Sequence, residues 1–176
     1  GQGGCGGTGP SCAVWSKSLG DASSQSAHSI ATDDAGNVFV AGSFGIGGEI
    51  PMSDVDSNVF VAKLSPEGDV LWSKTFGDGD DQQANAVAVD GSGNVFVAGS
   101  FRGDLSFEQT TLSAAGCLDM FVAKFDPAGK VEWSKSFGDM ACQFGDDIAV
   151  DPSGDVLLLG TVKGDIDFGG GPLTGK

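Results

Sequence analysis

An all-β repeat fold is what this sequence predicts, and three observations carry the prediction. The tryptophans Trp15, Trp72 and Trp133 recur at spacings of 57 and 61 residues. The nonapeptide GNVFVAGSF at 36–44 returns letter for letter at 93–101, and in altered form as GDVLLLGTV at 154–162, at the same two spacings. Five turns share one chemistry: an Asp or Ser opens each, and a glycine stands three places on, at Gly36, Gly68, Gly93, Gly129 and Gly154. The opening side chain can hydrogen-bond the backbone two residues on, and the glycine supplies a positive φ. No window carries the i, i+3, i+4, i+7 apolar spacing of an amphipathic helix.

Taken in order, each cycle predicts four short strands. The first lies at 28–32, 85–89 and 146–150, followed by the turns DDAGN, DGSGN and DPSGD. The second is VFVAGSF or its counterpart. A loop of variable length leads to the third, at 59–64 and 120–125. The turns SPEGD and DPAGK then deliver the fourth strand, which holds the Trp-Ser-Lys triplet. Four antiparallel strands in a unit of more than forty residues is the pattern of a β-propeller blade. The near-continuous apolar runs agree, because a blade packed between two neighbours is covered on both faces and need not alternate.

The organisation follows from the repeat. Residues 1–11 are a Gly-rich linker or tether, and 12–176 are propeller repeats: a partial blade at 12–20, blades at 27–77 and 84–138, and a partial blade at 146–176. That inventory is short of a closed ring, which needs about four blades or more. The expectation is a piece of a longer polypeptide, with assembly of several copies as the alternative.

Composition narrows the partners. A net charge of −15 and a pI near 4.1 repel phosphate backbones and anionic membrane surfaces, so nucleic acid is not an expected partner. No apolar run is long enough for a membrane helix, so membrane insertion is not expected. Lys17, Lys74 and Lys135, each two residues after a Trp, and Lys63 and Lys124 on the third strands, are read as guards against edge-to-edge pairing.

Four cysteines without CxxC spacing favour disulfides over zinc, and so an oxidising compartment. Cys5 and Cys12 flank GGTGPS; Cys117 lies in the loop between strands two and three, and Cys142 in the link to the next blade. Those two kinds of loop emerge on one face of a propeller, which makes the local pairings Cys5–Cys12 and Cys117–Cys142 the preferred ones of the three possible.

At GNVFVAGSF, the block FVAKLSPEGDVLWSKTFGD and the segment GDIDFGGGPLT, the sequence resembles the bacterial SBBP-type β-propeller repeats over 12–176. The resemblance implies a ring of about six to eight blades and a secreted or surface-anchored bacterial protein, and it carries over no catalytic residue. The two cysteine pairs and the shortened last repeat depart from it.

Residues that could carry chemistry are few. His28 is the one histidine, its equivalents are Asn85 and Asp146, and nothing supplies an orienting partner or a nucleophile. No GxSxG, HExxH or Walker pattern occurs, so an enzyme is not expected. Gln25, Gln82 and Gln143, six residues after Leu19, Phe76 and Phe137, are read as satisfying buried backbone groups between blades. Asp78, Asp80 and Asp81 in GDGDDQ are calcium candidates, although a solvated acidic loop is the preferred reading for want of a full ligand set; no other cofactor is expected. Arg102-Gly103-Asp104 matches Lys163-Gly164-Asp165, so it is the turn after strand two.

The function these features predict is a non-catalytic extracellular scaffold that recognises a cell-surface protein or glycan through variable loops, chiefly 101–121. A fibre subunit completed by strand exchange in trans, with other copies as partners, is an alternative, and a carbohydrate-binding propeller is another.

Overall fold

Residues 15–19, 25–45, 57–77 and 79–174 are described in a computed structural model, and the regular structure in them is all β. The first sheet is β1 (Gln25–Thr32), β2 (Val38–Gly45), β3 (Ser57–Leu64) and β4 (Val70–Phe76), antiparallel and paired in chain order. The second repeats it with β5 (Gln82–Val89), β6 (Val95–Phe101), β9 (Asp119–Phe125) and β10 (Val131–Phe137). Between β6 and β9 a hairpin intervenes, β7 (Asp104–Phe107) and β8 (Thr110–Ser113). A third sheet begins with β11 (Gln143–Val150) and β12 (Val156–Val162), followed by the small pair β13 (Asp165–Ile166) and β14 (Leu173–Thr174). These are propeller blades: four-stranded antiparallel units packed face to face.

The turns form as their chemistry dictates. Asp33, Asp90, Asp126 and Asp151 each use one carboxylate oxygen to accept the backbone N–H groups two and four residues on, at 2.8–3.0 Å. The five turn glycines have φ between +80° and +89°, a region closed to most side chains.

Two apolar layers hold the sheets together. Phe39, Val59, Val61 and Phe76 of the first sheet meet Val95, Val97, Phe121 and Phe125 of the second. The opposite face of the second, with Phe96, Ala98 and Val122, meets Ile148 and Leu158 of the third. β6 is therefore buried at every residue.

Tryptophan joins consecutive units in a second way. The Trp15 indole N–H donates to the carbonyl of Pro66 at 2.8 Å, and that of Trp72 to the carbonyl of Pro127 at 3.1 Å. Each acceptor lies in the turn between strands three and four of the following sheet. Each ring also lies on the turn glycine, where a Cβ added at Gly68 or Gly129 would come within 2.8 Å of it.

Three features differ from the sequence reading. The first strands begin three residues earlier, at the glutamines, and each bulges at the residue where the sequence reading began it: the register shifts around His28, Asn85 and Asp146. A bulge re-aims its side chain, and here His28 Nδ1 donates to Ala84 O at 2.9 Å and Asn85 Nδ2 to Gly145 O at 2.8 Å, both in the next sheet. The segment 101–121, read as a loop, contains the β7–β8 hairpin. Lys63 and Lys124 do not guard an edge. The Lys63 ammonium sits over the Phe39 ring at 5.0 Å, 3.9 Å from Asp33, and Lys124 sits over Phe96 at 5.5 Å and pairs with Glu132 at 2.8 Å.

Candidate interaction surface

Among the described residues, the links that enter the second and third sheets meet the turns after β6 and β12 along one edge of the stack, and Gln82 and Gln143 fasten them there. Gln143 is fully buried; its Nε2 donates to Lys163 O at 2.7 Å and to Asp139 Oδ1 at 2.6 Å, and its Oε1 accepts from the Asp139 N–H at 3.3 Å. Asp139 also accepts the backbone N–H groups of Asp165 and Ala141, both at 2.8 Å. Those two amides, with the Gln143 side chain, hold its carboxyl below the usual carboxylate range. One link earlier, Gln82 is likewise fully buried and donates to Asp104 O at 3.3 Å. Gln82 and Gln143 thus each clip a link to the turn that closes strand two.

The disulfide reinforces the same edge. Cys117 and Cys142 are bonded, with their Cα atoms 5.0 Å apart, beside a parallel bridge between Leu118 and Cys142. The Gln143 N–H donates to Leu118 O at 2.8 Å. The loop between strands two and three of the second sheet is therefore pinned to the link that starts the third.

The β7–β8 hairpin is fixed from below. Leu105, Phe107 and Leu112 are buried, and Phe107 lies 4.8 Å from Phe76 and 5.6 Å from Phe121 between ring centroids. The tip turns at Glu108, at φ +48°; its carboxylate pairs with Lys74 of the first sheet at 3.2 Å, a half-exposed contact that contributes about 0–1 kcal/mol. Beside Gly116, in the loop that follows the hairpin, Met140 of the link is 80% exposed.

Under this edge lies a group that sequence reasoning missed. Asp119 is buried at the start of β9 against Gly138; one carboxylate oxygen accepts the Ala115 N–H at 3.0 Å, and the other is without a hydrogen-bond partner. Burial, helped by the Asp139 charge and opposed by the Ala115 amide, pushes its carboxyl above the ordinary value. The same slot in the first sheet holds Asn58, opposite Gly77.

Of the other residues singled out from the sequence, Cys5, Cys12 and Asp78 lie outside the described residues. Asp80 and Asp81 are exposed; the backbone carbonyl of Asp81 accepts the Arg102 N–H at 2.8 Å. Among the described residues no group of three or more His, Cys, Asp or Glu is placed to share a metal ion. His28 is engaged with the Ala84 carbonyl and Gln83.

With the geometry in place, the comparisons with known proteins point to the same architecture. The family model for the SBBP beta-propeller repeat matches residues 14–43. The uncharacterized WD repeat-containing protein L264 of Acanthamoeba polyphaga mimivirus is 24% identical over 116 residues, which cover 56% of this chain and 8% of that protein. The chain therefore spans a small part of the length of the relative it matches. A β-propeller repeat architecture is the reading these matches support.

Proposed function

We propose that this chain is part of a non-catalytic extracellular β-propeller scaffold that binds a protein partner through the edge built from the inter-sheet links and the loops after strand two. The observation that carries the reading is where the repeats differ. Strands, turns and tryptophans recur, while variation concentrates at this one edge, where a disulfide and a packed hairpin hold the variable segment 101–121 in a fixed shape. Rigid strands with individual loops are how scaffolds present recognition surfaces.

The test is affinity capture of secreted and surface proteins of the producing cell on the immobilised chain, beside a variant carrying Glu108→Lys and Met140→Asp. A partner identified on the parent and weakened at least tenfold on the variant supports the reading. A partner held equally by both, or retention of glycans from an array in place of proteins, overturns it. The compartment has its own check, because the pair at Cys117 and Cys142 persists where thiols are oxidised: free thiols at both positions in protein drawn from its native cell would refute an extracellular location. Calcium at Asp78, Asp80 and Asp81 stays secondary to a solvated acidic loop, and a thermal midpoint raised by millimolar calcium would reverse that order.

A further inference from the structure

We propose that residues 114–118 form a proton-operated cover over Asp119: closed while that carboxyl carries a proton, lifted when it ionises, and hinged at the Cys117–Cys142 disulfide. Three observations carry this.

The first is the enclosure. Asp119 is 3% exposed and lies against Gly138, where an added Cβ would run into its carboxyl. Its Oδ2 accepts the Ala115 N–H at 3.0 Å, while Oδ1 is shut off from solvent with no hydrogen-bond partner among the described residues. A buried anion with an unpaired oxygen is costly and calls for a cation or a proton. Calcium takes about six to eight oxygens, and among the described residues no group of three or more His, Cys, Asp or Glu is placed to share a metal ion. A proton needs no such shell. The same slot in the first sheet holds Asn58, which has no charge to neutralise.

The second is the charge around it. The elements next to Asp119 bring Asp139 in the link, Arg102 and Asp104 after β6, Lys135 on β10 and Asp146 on β11; the cover itself, Ala-Ala-Gly-Cys-Leu, brings none. Of these, Asp139 is the one whose charge bears on Asp119, and it has the same sign. Asp139 stays ionised because the Asp165 and Ala141 amides and the Gln143 side chain hold it. Burial, opposed by the Ala115 amide and helped by Asp139, raises the Asp119 carboxyl under the closed cover. Lifting the cover returns it to water and its ordinary value. Acid therefore favours closure, and closure is lost as pH rises through the closed-state value.

The third is how the cover is held. Ala115 and Gly116 are exposed, and Ala114 offers the core a single methyl. At this end the bonds are those of the Ala115 N–H to Asp119 and the Ala114 N–H to Gly103 O, at 2.8 Å. At the other end Cys117 is bonded to Cys142, and Leu118 O accepts the Gln143 N–H at 2.8 Å. One end can lift while the other stays pinned. On the scaffold reading, a partner would then meet this edge in two shapes.

The experiment follows hydrogen exchange of the Ala114, Ala115 and Gln143 amides by NMR between about pH 4 and about pH 7, corrected for intrinsic rates, with the carbon-13 shift of the Asp119 carboxyl. Protection at Ala114 and Ala115 should fall at least tenfold as the carboxyl ionises, while Gln143 keeps its protection. In Asp119→Asn, protection should stay high and flat across the range, because an amide does not ionise. Flat protection at Ala115 in the parent, or the same fall in Asp119→Asn, overturns the proposal. So does a fall shared by Gln143 and by Val97 in β6, which would mark loosening of the whole sheet. The carbon-13 titration needs no variant: an Asp119 carboxyl that titrates at its ordinary value refutes the cover even where Asp119→Asn does not fold. None of these readouts uses a partner, so they are decided apart from the scaffold reading.

Discussion

β6 and β12 occupy equivalent places, follow the same kind of Asp-to-Gly turn, and read VFVAGSF and VLLLGTV. β6 is buried at all seven residues, while β12 exposes Leu157 at 56% and Leu159 at 64%. The two strands are about equally apolar, so the difference lies in what stands beside them. β6 has a strand on each side and a sheet against each face; β12 has β11 on one side and the second sheet on one face. An apolar run in this fold specifies a slot with four neighbours, and the repeat is a unit of sequence before it is a unit of stability.

The largest test of that contrast is at the hairpins. Phe107→Ala should cost about 3–5 kcal/mol in urea unfolding, the usual loss for a buried aromatic. The equivalent Phe168→Ala should cost below about 1 kcal/mol, since nearly half of that side chain already meets water. Equal losses at the two sites would break the comparison.

A smaller effect isolates the tryptophan. Gly129 and Gly154 have nearly the same backbone, at φ +82° and +88°, so alanine at either adds about 1–2 kcal/mol of left-handed strain. A Cβ at Gly154 meets nothing within 4 Å, whereas one at Gly129 presses on the Trp72 ring. Gly129→Ala should therefore cost about 1–3 kcal/mol more than Gly154→Ala, the range for overpacking. Matching thermal midpoints would mean that the indole yields freely.

The smallest effect sharpens the contrast between the first two sheets at Asn58 and Asp119. Burial raises the Asp119 carboxyl in the folded chain, while in the unfolded chain it ionises near its ordinary value of about 4. Its contribution to stability is thus complete below that value and is lost as pH rises through the folded one. Asp119→Asn places in the second sheet the amide that the first already uses. Because an amide has no charge to bury, it should stabilise the chain at pH 7 by about 1 kcal/mol and leave it nearly unchanged at pH 3. A gain that persists undiminished at pH 3 would assign the effect to packing and not to charge. Asp33 and Asp90 act in the opposite sense. Burial raises them, but hydrogen bonds from Asn37 and Asn94, with smaller contributions from Lys63 and Lys124, bring both below the ordinary range, so what they contribute is present at neutral pH and is lost on acidification.

Much of this is legible in the sequence. The turn glycines announced themselves because positive φ admits few other residues, and the strands because their apolar runs sit at fixed offsets from those turns. The disulfide between Cys117 and Cys142 was the preferred pairing because two loops fall on one edge, and the two cysteines are bonded. The β7–β8 hairpin was hidden because its tip, Glu108-Gln109, has none of the usual two-residue turn chemistry. Only the alternation in DLSF, with Leu105 and Phe107 inward, could have revealed it. The lysines misled for a different reason: a charge on a strand reads as solvent-facing, yet the Lys63 ammonium sits over the Phe39 ring, 3.9 Å from Asp33 and 3.5 Å from the Pro127 carbonyl. The bulge at His28, Asn85 and Asp146 left no mark beyond a variable polar residue, because what it needs is a direction of approach and not one chemical group.

The tryptophan bond has a direction that bears on how the protein is made. Each indole precedes its carbonyl, by 51 residues for Trp15 and by 55 for Trp72, so during translation the donor leaves the ribosome well ahead of the group it will hold. Consolidation should then run from the amino end, each unit staying loose until its successor emerges. Nascent chains stalled with only the residues up to Ser113 outside the ribosome should accordingly leave Trp72 open to acrylamide quenching, and chains stalled with Phe137 also outside should shield it.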